Sequence, residues 1–188
     1  MGFSSDLKKF LGKKIHCKCG RVHFIPTREI YVGTNAQECL LKFAADSALG
    51  RKVLIVGDKN TFAVAGELLS EYLAEKGLKV SVEVFITPRG KNLHAQQELA
   101  DRLAREIKGK FDFAVAVGSG TINDLVKYAC DKVKIPYISY PTAPSMNGYT
   151  SPIAALSHKN TKKTLAARPP VAVIADIEVL RNSRHLSK

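Results

Sequence analysis

The chain has no tryptophan, two methionines and four cysteines among its 188 residues. A chain of this size needs no disulfides, and Cys39 and Cys130 fall on helical patterns as small buried hydrophobes. No apolar stretch approaches the roughly 18 residues of a membrane span. The segment from Met1 to Lys14 is charged and lacks the apolar core of a secretory signal. There is no G-x-x-x-x-G-K-[ST] loop, which argues against an NTPase, and Ser145 lacks the nucleophile-elbow context of a serine hydrolase. Repeats and low-complexity tracts are absent. Acidic residues are scarce, 17 against 29 lysines and arginines, for a net charge of +12. That balance invites anionic partners such as phosphorylated metabolites and cofactors. The charges are dispersed, and no aromatic pair of the RNA-binding type stands on a strand, so nucleic acid is not the expected partner. The reading is a soluble cytoplasmic protein with a lysine-rich surface and no membrane association.

What the chain does have is a core. Hydrophobic residues make up 45% of it. Short apolar runs alternate with amphipathic segments. Strands are expected at 28–32, 52–56, 80–86, 111–117, 135–140 and 171–175. Ser4-Ser5-Asp6 reads as the cap of a short helix through Leu11. Thr34 followed by Gln37 reads as a capping box opening a helix to about Leu49. Asn60 or Thr61 starts a helix with Ala65, Leu68, Leu69, Tyr72 and Leu73 on one face, stopped by Gly77. Asn92 reads as the cap of a helix to about Lys108, and a further helix covers 121–131. Several strands are apolar on both faces. The pattern predicts an α/β fold, a Rossmann-like mostly parallel sheet with helices on both faces. Residues 1–27 read as an N-terminal extension and 28–188 as a dinucleotide-binding domain.

In such sheets ligands sit beyond the carboxyl ends of the strands. The apolar run Phe113–Val117 ends in Gly118-Ser-Gly120-Thr-Ile-Asn-Asp124. A strand, a glycine turn and a helix in that order form a phosphate site, because free N–H groups and the positive helix end converge there. Asn123 replaces the third glycine of the ordinary dinucleotide fingerprint. The acidic candidate, Asp58, precedes the glycines by about sixty residues, where the ordinary fold places it after them. Asp58 reads either as a ligand of the adenosine ribose hydroxyls or as a turn or helix-cap aspartate. Thr142 to Ser151 forms a loop dense in hydroxyls and stiffened by Pro141, Pro144 and Pro152, suited to holding small polar groups. His16, Cys17, Cys19 and His23 have zinc-ligand chemistry. A single C-x-C is weaker than paired knuckles, so a structural role is expected of them.

These segments together resemble the glycerol-1-phosphate dehydrogenases. That family belongs to the wider superfamily of iron-containing alcohol dehydrogenases, glycerol dehydrogenases and dehydroquinate synthases. The matching pieces are Val53–Asp58, Val117–Asp124, Pro141–Pro152 and Ala175-Asp176. Cys17-Lys-Cys-Gly20 with His23 looks like the start of the bacterial branch. The resemblance implies NAD or NADP as cofactor. Asp58 would bind the adenine ribose. Gly118, Ser119, Gly120, Thr121 and Ile122 would cradle the pyrophosphate, with Asp124 nearby. Thr142, Ser145 and Ser151 would contact the cofactor. Asn147 stands where the family holds its substrate, normally with aspartate, so a charged contact is replaced by a neutral one.

The implied reaction is reduction of dihydroxyacetone phosphate to sn-glycerol 1-phosphate, assisted by zinc or another divalent metal. The family's metal ligands lie in a helical C-terminal domain that this chain is expected to lack. On that expectation it supplies no catalytic residue and no metal ligand, binds cofactor without turnover, and self-associates as a homo-oligomer. Two other readings stand beside this one: a dehydroquinate synthase-like enzyme domain, and a non-catalytic nucleotide-binding or interaction module.

Overall fold

The computed structural model describes residues 8–88, 92–144, 146, 148–159 and 161–183. The proposed cap at Ser4-Ser5-Asp6, and Ser145 and Asn147, lie outside the described residues.

The centre is a six-stranded parallel sheet in the order β3-β10-β7-β6-β4-β5. Its strands are β3 (Glu29–Gly33), β4 (Lys52–Asp58), β5 (Lys79–Phe85), β6 (Phe113–Gly118), β7 (Tyr137–Pro141) and β10 (Ala172–Asp176). Side chains of a strand alternate between its faces. In β4, Val53 and Ile55 join one core while Leu54 and Val56 join the other. In β6, Phe113, Val115 and Val117 divide from Ala114 and Ala116 in the same way. Both faces are buried, which is why these strands read as continuous apolar runs.

On one face lie α1 (Ala36–Asp46) and α2 (Glu67–Glu75), through Leu40, Ala44, Leu69 and Leu73. On the other lie α3 (Gln97–Ile107) and α4 (Gly120–Val133), through Leu103, Ile107, Ile122 and Leu125. A short helix, α5 (Ile177–Asn182), follows β10. Helices cover both faces, as the sequence pattern predicts.

Two antiparallel hairpins stand apart from the sheet. β1 (Lys14–His16) pairs with β2 (Val22–Phe24), and β8 (Ile153–His158) pairs with β9 (Thr161–Ala166). The first belongs to the segment read as an extension. Thr27 fastens that segment to the body by donating its hydroxyl to the Pro170 carbonyl at 2.8 Å. For the second hairpin the sequence pattern predicts no strand. Ala154 and Leu156 of β8 are buried, whereas most of β9 is exposed.

Several local expectations fail. The capping box at Thr34 and Gln37 does not form; α1 begins after Asn35, which makes no side-chain cap. Asn92 caps nothing, and α3 begins at Gln97. Residues ahead of it are drawn to β8 instead, where Ser157 N–H donates to the Ala95 carbonyl at 2.8 Å. Leu68 is exposed rather than inward. A π-helical segment, Phe62–Gly66, precedes α2 and changes the rotation per residue ahead of it. Cys130 is fully buried, but Cys39 only partly so.

Candidate functional site

β4 and β6 are neighbours, yet the chain leaves them for opposite faces. Their carboxyl ends therefore diverge and open a crevice. A cleft of about 680 Å³ lies there, lined by Asp58, Lys59, Asn60, Thr87, Ser119 and Thr121 among others. A smaller hollow of about 220 Å³ adjoins it, where Asp58, Ser119 and Thr142 come together with Ser183. Asp58, the glycine turn and Thr142, far apart in sequence, thus meet at one place.

Gly118 closes β6 and Ser119 is the N-cap residue of α4, with extended backbone. The Ser119 side chain accepts none of the first-turn N–H groups. Asn123 N–H donates to the Ser119 carbonyl at 3.0 Å. Gly120, Thr121 and Ile122 precede it, so their N–H groups have no intrahelical acceptor. Three donors and the positive end of a 14-residue helix therefore gather at the cleft. The turn is tightly packed. A Cβ on Gly118 would lie 2.6 Å from Cβ of Ile122. On Gly120 it would meet just the flexible Met146 side chain, with Sδ at 2.8 Å. Thr142 is buried and donates its N–H to the Gly118 carbonyl at 3.2 Å, which fixes the loop against the turn.

Asp58 is held by its own cap. Its Oδ1 accepts from the Asn60 and Thr61 N–H groups, each at 2.9 Å, and its N–H donates to Thr61 Oγ1 at 3.0 Å. The capping box expected at Thr34 is found here instead. Both readings of Asp58 remain open to it chemically, because the cap uses Oδ1 and the residue lines the cleft.

Asp124 and Ser151 both bond one buried lysine. Lys127 is fully buried, and its ammonium donates to Asp124 Oδ1 at 3.4 Å, the Gly148 carbonyl at 3.2 Å, Ser151 Oγ at 3.2 Å and the Ile153 carbonyl at 2.8 Å. Burial holds the Lys127 pKa below its ordinary value, opposed by the adjacent Asp124 carboxylate. The other Asp124 oxygen accepts from Ala155 N–H at 3.1 Å. These two residues anchor the 148–155 segment to α4. Lys127 escaped the sequence reading. Its signal is a lysine between Val126 and Tyr128, on the same helix stripe as Asn123 and Cys130.

Comparisons with known proteins decide the family. A family model described as iron-containing alcohol dehydrogenase matches residues 31–183. The chain belongs to the iron-containing alcohol dehydrogenase family. Among curated relatives, the glycerol-1-phosphate dehydrogenase [NAD(P)+] of Bacillus licheniformis is 35% identical over 177 residues, covering 94% of this chain and 43% of that protein. The protein of the same name from Pyrococcus horikoshii is 32% identical over 157 residues, covering 83% and 43%. The chain therefore spans less than half the length of these relatives. Solved structures agree on the fold. An archaeal halo-thermophilic Red Sea brine pool alcohol dehydrogenase superposes with a TM-score of 0.71 at 18% identity, covering 85% of this chain and 46% of that one. Glycerol dehydrogenase from Schizosaccharomyces pombe gives 0.67 at 18% identity, covering 82% and 38%. The match takes in the sheet, the crevice and the glycine turn of this family member. Among the described residues no helix is long and apolar enough to cross a membrane.

Proposed function

We propose that this chain forms the dinucleotide-binding domain of a glycerol-1-phosphate dehydrogenase-type oxidoreductase. The observation that carries the reading is the unclaimed amino end of α4 at the switch point between β4 and β6. The residues fit the cofactor. A pyrophosphate requires unpaired backbone donors, and the N–H groups of Gly120, Thr121 and Ile122 supply them. Asp58 takes the adenine ribose, and Thr142 closes the inner wall. Asp124 and Ser151 support this wall from behind. Ser145 is assigned to the cofactor and Asn147 to the substrate by resemblance. When bound, the nicotinamide supplies the hydride for a ketone–alcohol interconversion.

The substrate of the complete protein is dihydroxyacetone phosphate, with sn-glycerol 1-phosphate as product and a divalent metal, zinc or another, polarising the carbonyl. A net charge of +12 favours capture of both anionic ligands. The protein works in the cytoplasm. It assembles as a homo-oligomer, with Ile153 and Ile177 among its exposed apolar side chains.

Titration calorimetry of the chain with NADH and with NADPH tests the reading. Saturable binding of one or both supports it, and the ratio of affinities assigns the coenzyme. Asp58 disfavours a 2′-phosphate and the neighbouring Lys59 favours one. Absence of binding by either would overturn the reading.

A further inference from the structure

The hairpin of β1 and β2 carries a second, separate cluster. Cys17 Sγ, Cys19 Sγ and a ring nitrogen of His23 all lie within 4.8 Å of one another. Cys19 Sγ and His23 Nε2 are 3.3 Å apart. The turn is built to bring them together. Gly20 N–H donates to the Cys17 carbonyl at 3.0 Å, and Gly20 takes a φ of +81° that suits glycine. Cys17 N–H donates to the Arg21 carbonyl at 3.0 Å, which closes the hairpin end. Cys19 N–H points at Cys17 Sγ at 3.5 Å. His23 pairs with Ile15, so it shares a face with Ile15 and not with the adjacent His16. His16, one of the four residues singled out in the sequence, is thereby excluded.

We propose that Cys17, Cys19 and His23 bind one zinc ion, with water in the fourth position. The spacing is close to what the ion needs. A tetrahedron with Zn–S near 2.3 Å and Zn–N near 2.0–2.1 Å sets its sulfur and nitrogen about 3.5 Å apart and its two sulfurs about 3.8 Å apart. The donors are soft. No carboxylate occurs from residue 8 through residue 28, which disfavours magnesium, calcium and manganese. All three ligands are exposed, so entry is open. Binding releases the two thiol protons to solvent. The ion has a structural purpose, because a two-stranded sheet is marginal by itself and β1–β2 lies outside the main sheet. None of the three residues lines the cleft between β4 and β6.

The test uses the reduced, metal-free full chain titrated with Co²⁺, a spectroscopic stand-in for zinc. A thiolate-to-cobalt charge-transfer band saturating at a single equivalent, and erased by Zn²⁺, is expected. Cys17→Ser and Cys19→Ser should each diminish the band, and the double variant should abolish it. His23→Gln should weaken affinity roughly tenfold or more. His16→Gln and Cys39→Ser should behave as the parent. Far-ultraviolet dichroism establishes that each variant keeps the main fold. No charge-transfer band at one equivalent, or a band that survives the double serine variant, would overturn the proposal.

Discussion

The ammonium of Lys127 on α4 lies 2.8 Å from the carbonyl oxygen of Ile153 at the start of β8. That bond, with those to Asp124, Gly148 and Ser151, ties the loop at 148–153 to the helix whose amino end faces the cleft. A buried lysine is costly to desolvate and becomes costlier to remove once carbonyls and a carboxylate depend on it. Lys127→Met should lower stability by about 3 kcal/mol, read from the urea midpoint. A loss below about 1 kcal/mol would show that the loop is held by other contacts.

The two glycines of the turn should respond differently to alanine. At Gly118 the new Cβ meets the backbone-fixed Ile122 Cβ at 2.6 Å, so Gly118→Ala should destabilise the fold by about 2 kcal/mol. At Gly120 it meets a flexible methionine, so Gly120→Ala should leave the melting temperature nearly unchanged. It should still weaken NADH binding by tenfold or more, about 1.4 kcal/mol, because the Cβ occupies the cradle. Melting curves and titrations on the two variants separate these effects.

Substitution can part the observed cap of Asp58 from its proposed contact with the ribose. Asp58→Asn retains an oxygen acceptor for Asn60 and Thr61 and should hold stability within about 0.5 kcal/mol. Asp58→Ala removes the cap and should cost about 1 kcal/mol. Both variants should lose affinity for NADH. Asp58→Asn should also lessen discrimination against NADPH, since the charge facing a 2′-phosphate is gone.

Stability should fall on the alkaline side. Cys130 is fully buried, and burial pushes its thiol far above the ordinary 9.0. Above that pH the unfolded chain releases this proton and the folded chain retains it. The unfolded state then binds fewer protons, and the free energy of unfolding decreases as pH rises. Urea midpoints from pH 8 to 11 should decline, and the decline should be shallower in Cys130→Ala.

All six strands of the sheet were legible from their apolar residues, including the partly exposed edge strands β3 and β5, and the signal was most continuous where burial is two-sided. β4, β6 and β10 are apolar on both faces because helices cover both, so each reads as an apolar run, and β7 is buried throughout with the single polar Ser139 in it. The crevice was legible for a related reason: a glycine turn between an apolar strand and a helix has few other uses. The hairpins were not legible. Thr161 to Leu165 is largely exposed and carries two lysines, so no periodic apolar signal marks it as strand. Val22 and Phe24 are apolar but exposed, and nothing in their spacing distinguishes hairpin from loop. The helix starts failed at Thr34 and Asn92, where tertiary contacts decide the boundary rather than a cap. Asp124 and Ser151 were placed by resemblance in the cofactor site. Their hydrogen bonds depend on Lys127, a residue that only the packed structure brings under the loop.

The central claim is that the amino end of α4 carries the pyrophosphate. Backbone amide resonances followed by nuclear magnetic resonance during NADH titration test it most directly. Saturable shifts concentrated at Ser119, Gly120, Thr121 and Ile122, with Asp58 and Thr142 moving in step, are predicted. Binding that leaves those amides unmoved, or moves residues away from the β4–β6 crevice, would contradict it.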